Sequence, residues 1–251
     1  MFNSKVFVAE FIGTFALVFI AAGAGMVGAA PIAAALAYGF TLAVFAYAYG
    51  HISGAHLNPA VTFAFLLNQT LKWGQAIFYW IAQFLGAILA AWLLQTIAVL
   101  LGGTLEGGAT TGLLTDKQPV LAMVVEAILT FFLVNTILNT AAVGNGGKFA
   151  GWVTGTTLAV AVLGGGALTG ASLNPARTFG PAIFVGPSFS NVYTYVIYLF
   201  GPLIGATLAV LVYNFLNDIK DEEEEEHVPA IVEAAPVKKT RKPAVRKAVK
   251  K

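Results

Sequence analysis

The sequence has no cysteine, which excludes disulfides, thiolate metal sites and a cysteine nucleophile. Charge is also scarce. Asp, Glu, Lys and Arg make up 10% of the chain, where a soluble domain carries about 25%. Only nine charged residues precede Asp218. Histidine occurs three times, and the body holds no clustered His/Asp metal set and no Ser/His/Asp constellation. Neither a metal, a cofactor nor an enzymatic activity is therefore expected. What is present is apolar: 58% hydrophobic residues and a mean hydropathy of +0.79. A body this poor in charge must be solvated by lipid.

One stretch occurs twice. Ser53–Phe63 reads SGAHLNPAVTF and Thr169–Phe179 reads TGASLNPARTF, with Asn58 and Asn174 separated by 116 positions. The same offset aligns Glu10 with Glu126, and Gly39–Val44 with Gly155–Val160. Three separated stretches in one register mark a duplicated unit, and in a chain this apolar they point to a transport fold built from two halves. The N-terminal run after Lys5 is read as a retained span rather than a cleaved leader, because Glu10 belongs to the repeat.

A spanning helix needs about 20 apolar residues. Six segments qualify: 6–28, 32–51, 75–101, 119–142, 149–167 and 191–217. Three spans per repeat oblige the second half to enter from the opposite side, so the repeats, about 6–101 and 119–217, are inverted. The third spans align at a shifted offset, Gly86-Ala87 on Gly205-Ala206. Lys5, Lys72, Lys148 and Lys220 fall on one side under the positive-inside rule, which predicts cytoplasmic termini, an outer connection 102–118 and a place in the cell membrane. The channel domain is expected over 1–217. Residues 218–251, acidic over Asp221–Glu226 and basic over Lys238–Lys251, are expected to form a disordered tail. That tail is expected to be a solvated segment, with attachment to anionic lipid headgroups as the alternative reading. Its charge alone gives no reading element for nucleic acid, so no nucleic-acid partner is expected; the bilayer is the expected surroundings.

Asn58-Pro59-Ala60 and Asn174-Pro175-Ala176 each read as a helix start, since Asn is a favoured cap and Pro a favoured first residue. Helices to about Asn68 and Phe184 would be about 11 residues, roughly 16 Å, half of a hydrocarbon core of about 30 Å. The expected fold is all-α: six transmembrane helices plus two re-entrant half-helices meeting N-terminus to N-terminus at the midplane. Irregular backbone before each half-helix is tolerated at that depth only when buried or lining an aqueous cavity. Glu10 and Glu126 are expected to accept bonds from its N–H groups. A proton-coupled secondary transporter using these carboxylates is the alternative reading. Arg177, directly after the second motif, is costly in a membrane and is a functional candidate by that fact.

The doubled HLNPAVTF and SLNPARTFGPA pattern, in register with Glu10 and Glu126, resembles the aquaporin, or major intrinsic protein, family over residues 1–217. The resemblance implies a homotetrameric, passive channel for water and small neutral solutes that excludes protons and ions. It implies that His56 helps to brace the first loop, and that a constriction is formed by Tyr38, Val162, Ala171 and Arg177. Val162 stands where strict water channels commonly have His, which leaves a wider, more apolar opening. Thr178 after the arginine is as in water channels, while Leu199 is closer to the glycerol type. The filter is read as permissive: water, with glycerol or ammonia. Mercurials, which often act on a constriction cysteine in such proteins, are expected to leave the flux of the purified protein unchanged, since there is no cysteine to modify. Clear mercurial block would contradict this.

Overall fold

In a computed structural model of the chain, residues 3–226 are described. The elements are all helical: α1 (Ser4–Met26), α2 (Pro31–Ser53), α3 (Pro59–Leu67), α4 (Trp73–Leu100), α5 (Pro119–Ile137), α6 (Ala150–Thr169), α7 (Pro175–Ala182), α8 (Val192–Tyr195) and α9 (Gly201–Glu226). A π-helical turn, Leu138–Ala142, extends α5, and another, Val196–Phe200, joins α8 to α9. Six stretches are long and apolar enough to cross a membrane: Ser4–Met26, Pro31–Ser53, Trp73–Leu100, Pro119–Ala142, Gly147–Thr169 and Val192–Asn217. They match the six expected spans to within a few residues. The short pair α3 and α7 completes two inverted sets of three spans and one half-helix.

Local chemistry sets the helix starts. Asn3 caps α1 by accepting a bond from the Lys5 amide, and prolines open α2, α3, α5 and α7. Proline fits there because its missing N–H would be orphaned in any first turn.

With lipid outside, helices associate by close packing rather than by expelling water. α1 lies along α4, and α2 along α6. At the α2–α6 crossing Gly39 and Gly155 face each other so closely that a Cβ on either would run into the other's carbonyl oxygen. These residues are repeat equivalents, so the crossing joins the halves through one residue from each. Gly86 lies against the Phe11 carbonyl and Gly205 against the Ala127 carbonyl, the same contact made once per half.

The connection 102–118 is not a plain outer loop. Leu105 is fully buried among Val18, Ala22 and Ala176. Further on, the Leu113 and Leu114 amides bond the Ala167 and Leu168 carbonyls at the end of α6. Pinned at both ends, the segment runs inward and back as a strap.

The chain divides into two units, Met1–Leu216 and Asn217–Lys251. Helix α9 nevertheless continues through Glu226, so the disorder expected from residue 218 does not hold for 218–226. Lys and Glu are good helix formers, and charge content alone conceals that. The rest of the tail, including Lys238–Lys251, lies outside the described residues.

Gly155→Val should push α2 and α6 apart and lower the unfolding midpoint of detergent-solubilised protein, since overpacking costs about 1–3 kcal/mol. An unchanged midpoint in a thermal scan would contradict the close approach.

Candidate pore

The two half-helices meet at their caps. The Asn58 side-chain oxygen accepts from the Ala60 amide at 2.8 Å, and its amide nitrogen donates to the Leu173 carbonyl at 2.8 Å. Asn174 accepts from the Ala176 and Arg177 amides at 3.0 and 3.3 Å and donates to the Leu57 carbonyl at 2.8 Å. Each asparagine thus bonds the residue immediately before its counterpart. Both positive helix ends point into one place. Each carboxamide has two N–H donors, and one of them is used in this exchange.

The backbone leading to the caps is held in an unfavourable shape. Ala55, Leu57, Ala171 and Leu173 all have φ between 41° and 55°, in the left-handed region. A non-glycine residue there costs about 1–2 kcal/mol, and it persists only when the surroundings over-determine it. The surroundings here are carboxylates. Glu10, fully buried, accepts from Ser53 Oγ (2.6 Å), the His56 amide (2.9 Å), the Leu57 amide (2.7 Å) and Gln83 Nε2 (2.8 Å). Glu126, also fully buried, accepts from Thr169 Oγ1 (2.7 Å), the Ser172 amide (2.9 Å) and the Leu173 amide (2.8 Å). Tyr79 and Tyr198 each donate at 2.7 Å to the carbonyl that begins a loop, Ser53 and Thr169 respectively. Among the described residues, the carbonyls of Gly54, Ala55 and His56, and those of Gly170 and Ala171, accept no bond from the protein.

His56 is buried. Its ring contacts Thr62 Oγ1 at 3.1 Å and stacks on Phe65 with centroids 4.4 Å apart. Gln83 also donates to Thr62 at 2.9 Å, so the first loop is closed by a ring of contacts around one threonine.

Tyr38, Ala171 and the half-buried Val162 belong to one apolar cluster that also holds Leu57 and Leu173. The Tyr38 hydroxyl, whose direction the sequence leaves open, donates to the Ser172 carbonyl at 2.9 Å. Arg177 is 7% exposed and projects from the first turn of α7. Its Nη1 donates to the Gly108 carbonyl at 3.2 Å and to Thr110 Oγ1, while its Nε has no partner in the protein. Gly108 and Thr110 are residues that the sequence reading passed over. They belong to the connection between the halves, where no repeat equivalent exists to single them out. His51 is exposed at the end of α2 and, with Tyr47, Phe65 and Lys148, lines an open cavity of about 550 Å³.

Comparison with known proteins bears on this geometry. A family model described as "Major intrinsic protein" matches residues 1–213. The chain belongs to the major intrinsic protein family. Among similar relatives is "Glycerol uptake facilitator protein-like 6" of Lactiplantibacillus plantarum, 41% identical over 211 residues, covering 81% of this chain and 94% of the relative. Another is "Aquaporin AqpM" of Methanothermobacter thermautotrophicus, 37% identical over 238 residues, covering 84% of this chain and 96% of the relative. The aquaglyceroporin structure from Plasmodium falciparum superposes with a TM-score of 0.74, covering 87% of this chain and 99% of that one; at 23% identity it shows the shared fold. Family membership makes this a multi-pass membrane channel of the aquaporin type.

In this major intrinsic protein, Glu126→Ala would orphan three buried donors. At about 1–3 kcal/mol for each donor, the loss of stability should be at least about 3 kcal/mol, with conduction abolished. Denaturant titration beside a flux assay checks this, and a stable, conducting variant would remove the brace from the account.

Proposed function

We propose that the chain is a passive channel for water which also passes small neutral solutes such as glycerol and ammonia, and which excludes protons and ions. The observation that carries this reading is the exchange of bonds between Asn58 and Asn174. It leaves one N–H of each carboxamide outside the exchange, at the meeting point of the two caps, where a solute oxygen can accept from them. Carbonyls of Gly54–His56 on one side and of Gly170 and Ala171 on the other can accept the solute's hydrogens. Two helix N-termini at the same point raise the energy of any cation there. Arg177 adds a fixed positive charge at the second constriction, formed with Tyr38, Val162 and Ala171.

Solute range follows from that constriction. Val162 and Ala171 leave one wall apolar and comparatively open, suited to the carbon backbone of a polyol, while Arg177 offers donors to its hydroxyls. The names of two relatives, a glycerol facilitator and an aquaporin, span the same pair of solutes. A proton-coupled transporter needs a carboxyl group free to exchange its proton with the transport path. Both oxygens of Glu10 and of Glu126 already accept bonds from the loops that they brace. The lysine distribution supports cytoplasmic termini, and the family resemblance implies a homotetramer with one pore per subunit.

Stopped-flow light scattering on proteoliposomes tests the reading. An impermeant osmolyte should give fast shrinkage, and glycerol should give fast re-swelling. Val162→His should retain the water response and lower glycerol permeability about tenfold, the usual scale for one mismatched contact in a tight site. Unchanged glycerol flux in Val162→His would sink the filter assignment; no accelerated flux of either solute would sink the channel reading for these two solutes.

A further inference from the structure

The two halves part company at one pair of equivalent positions. His56 in the first loop corresponds to Ser172 in the second, and their helix partners are Thr62 and Thr178. In the first half the His56 ring and Gln83 together occupy Thr62. In the second half the small Ser172 side chain meets the Thr178 hydroxyl directly, and Thr178 also reaches Thr110 Oγ1 at 3.2 Å. Thr110 and Thr178 are both fully buried. Thr110 Oγ1 is the atom that accepts from Arg177 Nη1. The hydroxyls therefore form one chain: Ser172, whose Oγ also donates to the Asn174 carbonyl, touches Thr178, Thr178 donates to Thr110, and Thr110 ends the chain on the guanidinium. At its other end the Ser172 amide is on Glu126 and the Ser172 carbonyl takes the Tyr38 hydroxyl.

This chain links the buried carboxylate, the constriction tyrosine and the constriction arginine through a residue outside the repeat. The strap that bears Thr110 is fixed at Leu105 and at Leu113–Leu114, so Thr110 is held in place rather than borne on a mobile tip. An arginine whose Nε lacks a partner depends on its remaining acceptors for its position. Those acceptors are the Gly108 carbonyl and Thr110. Only the second can be altered by changing a side chain.

We infer that Thr110 is a positioning residue for solute selection: its hydroxyl, held by Thr178 and Ser172, fixes the Arg177 head group at the side of the pore and so sets the aperture for solutes larger than water. The inference rests on the channel reading above. Without the hydroxyl, the head group swings toward the opening and glycerol loses more than water.

The test uses full-length protein in proteoliposomes, with water and glycerol permeabilities measured on one preparation. Thr110→Val keeps the shape and removes the acceptor. It should lower glycerol permeability about tenfold and water permeability about threefold, in keeping with the loss of one bond to a charged donor. Thr110→Ser should restore the wild-type glycerol-to-water ratio. In an Arg177→Val background, Thr110→Val should leave the ratio unchanged, because two residues acting through one group do not add. Should Thr110→Val not assemble, Thr178→Val carries the same test with a ratio lowered about threefold. Wild-type ratios in Thr110→Val or its substitute overturn the inference and leave the channel reading intact. A fall in the ratio that persists without Arg177 overturns it too. A wild-type protein that conducts neither solute overturns both.

Discussion

Backbone that is not helical cannot stand in a membrane with its polar groups unpaired. Everything distinctive about this protein follows from meeting that demand twice. The loops before α3 and α7 need their N–H groups satisfied, and they need several carbonyls left over for whatever passes. A carboxylate resolves the conflict, because it accepts from several donors at once and offers none. Glu10 and Glu126 take the inward-facing amides and fix the left-handed residues at 55, 57, 171 and 173. The remaining carbonyls are then turned the other way. Burying a carboxylate is ordinarily costly. Here its partners come from the segment that leads into each half-helix, so the carboxylate and that segment form one structure.

Duplication supplied two of these assemblies, and the structure shows how far each has been specialised. The common parts are the carboxylate, the hydroxyl that begins the loop, the tyrosine on its carbonyl and the capping asparagine. The first half adds Gln83 and an aromatic packing of His56 against Phe65 and Tyr79, which closes it on itself. The second half lacks that plug. Its threonine opens toward the connection between the repeats, and the arginine stands beside it. The first half is closed on itself, and the second is tied through Thr178 and Arg177 to the connection between the repeats.

The meeting of the two half-helix caps is legible in the sequence because its residues are unusual where they stand. An Asn-Pro pair within an apolar run has few other uses, and two in register with two buried glutamates have fewer. The spans were legible from length and hydropathy. Gly108 and Thr110 were not, since a glycine and a threonine in a polar connection look like any loop, and the repeat offset offers no partner for them. The Tyr38 hydroxyl was placed by spacing but not aimed, because its acceptor is a carbonyl 134 residues away. The helix through Glu226 is hidden for another reason: charge density reads as disorder, while the same residues carry good helix propensity. The π-helical turns in the fourth and sixth spans leave no signal, as a one-residue widening of a helix does not disturb an apolar run.

The crossed bonds between Asn58 and Leu173, and between Asn174 and Leu57, also constrain the order of events during biogenesis. The first re-entrant segment leaves the ribosome 116 residues before its counterpart. At about 5–20 residues per second, that is a wait on the order of ten seconds. Throughout it, the Leu57 carbonyl and the Asn58 amide lack the partners that complete them. Until the second half arrives, these groups must find partners in water, lipid headgroups or the insertion machinery, and the two caps can close on each other only after Asn174 has emerged.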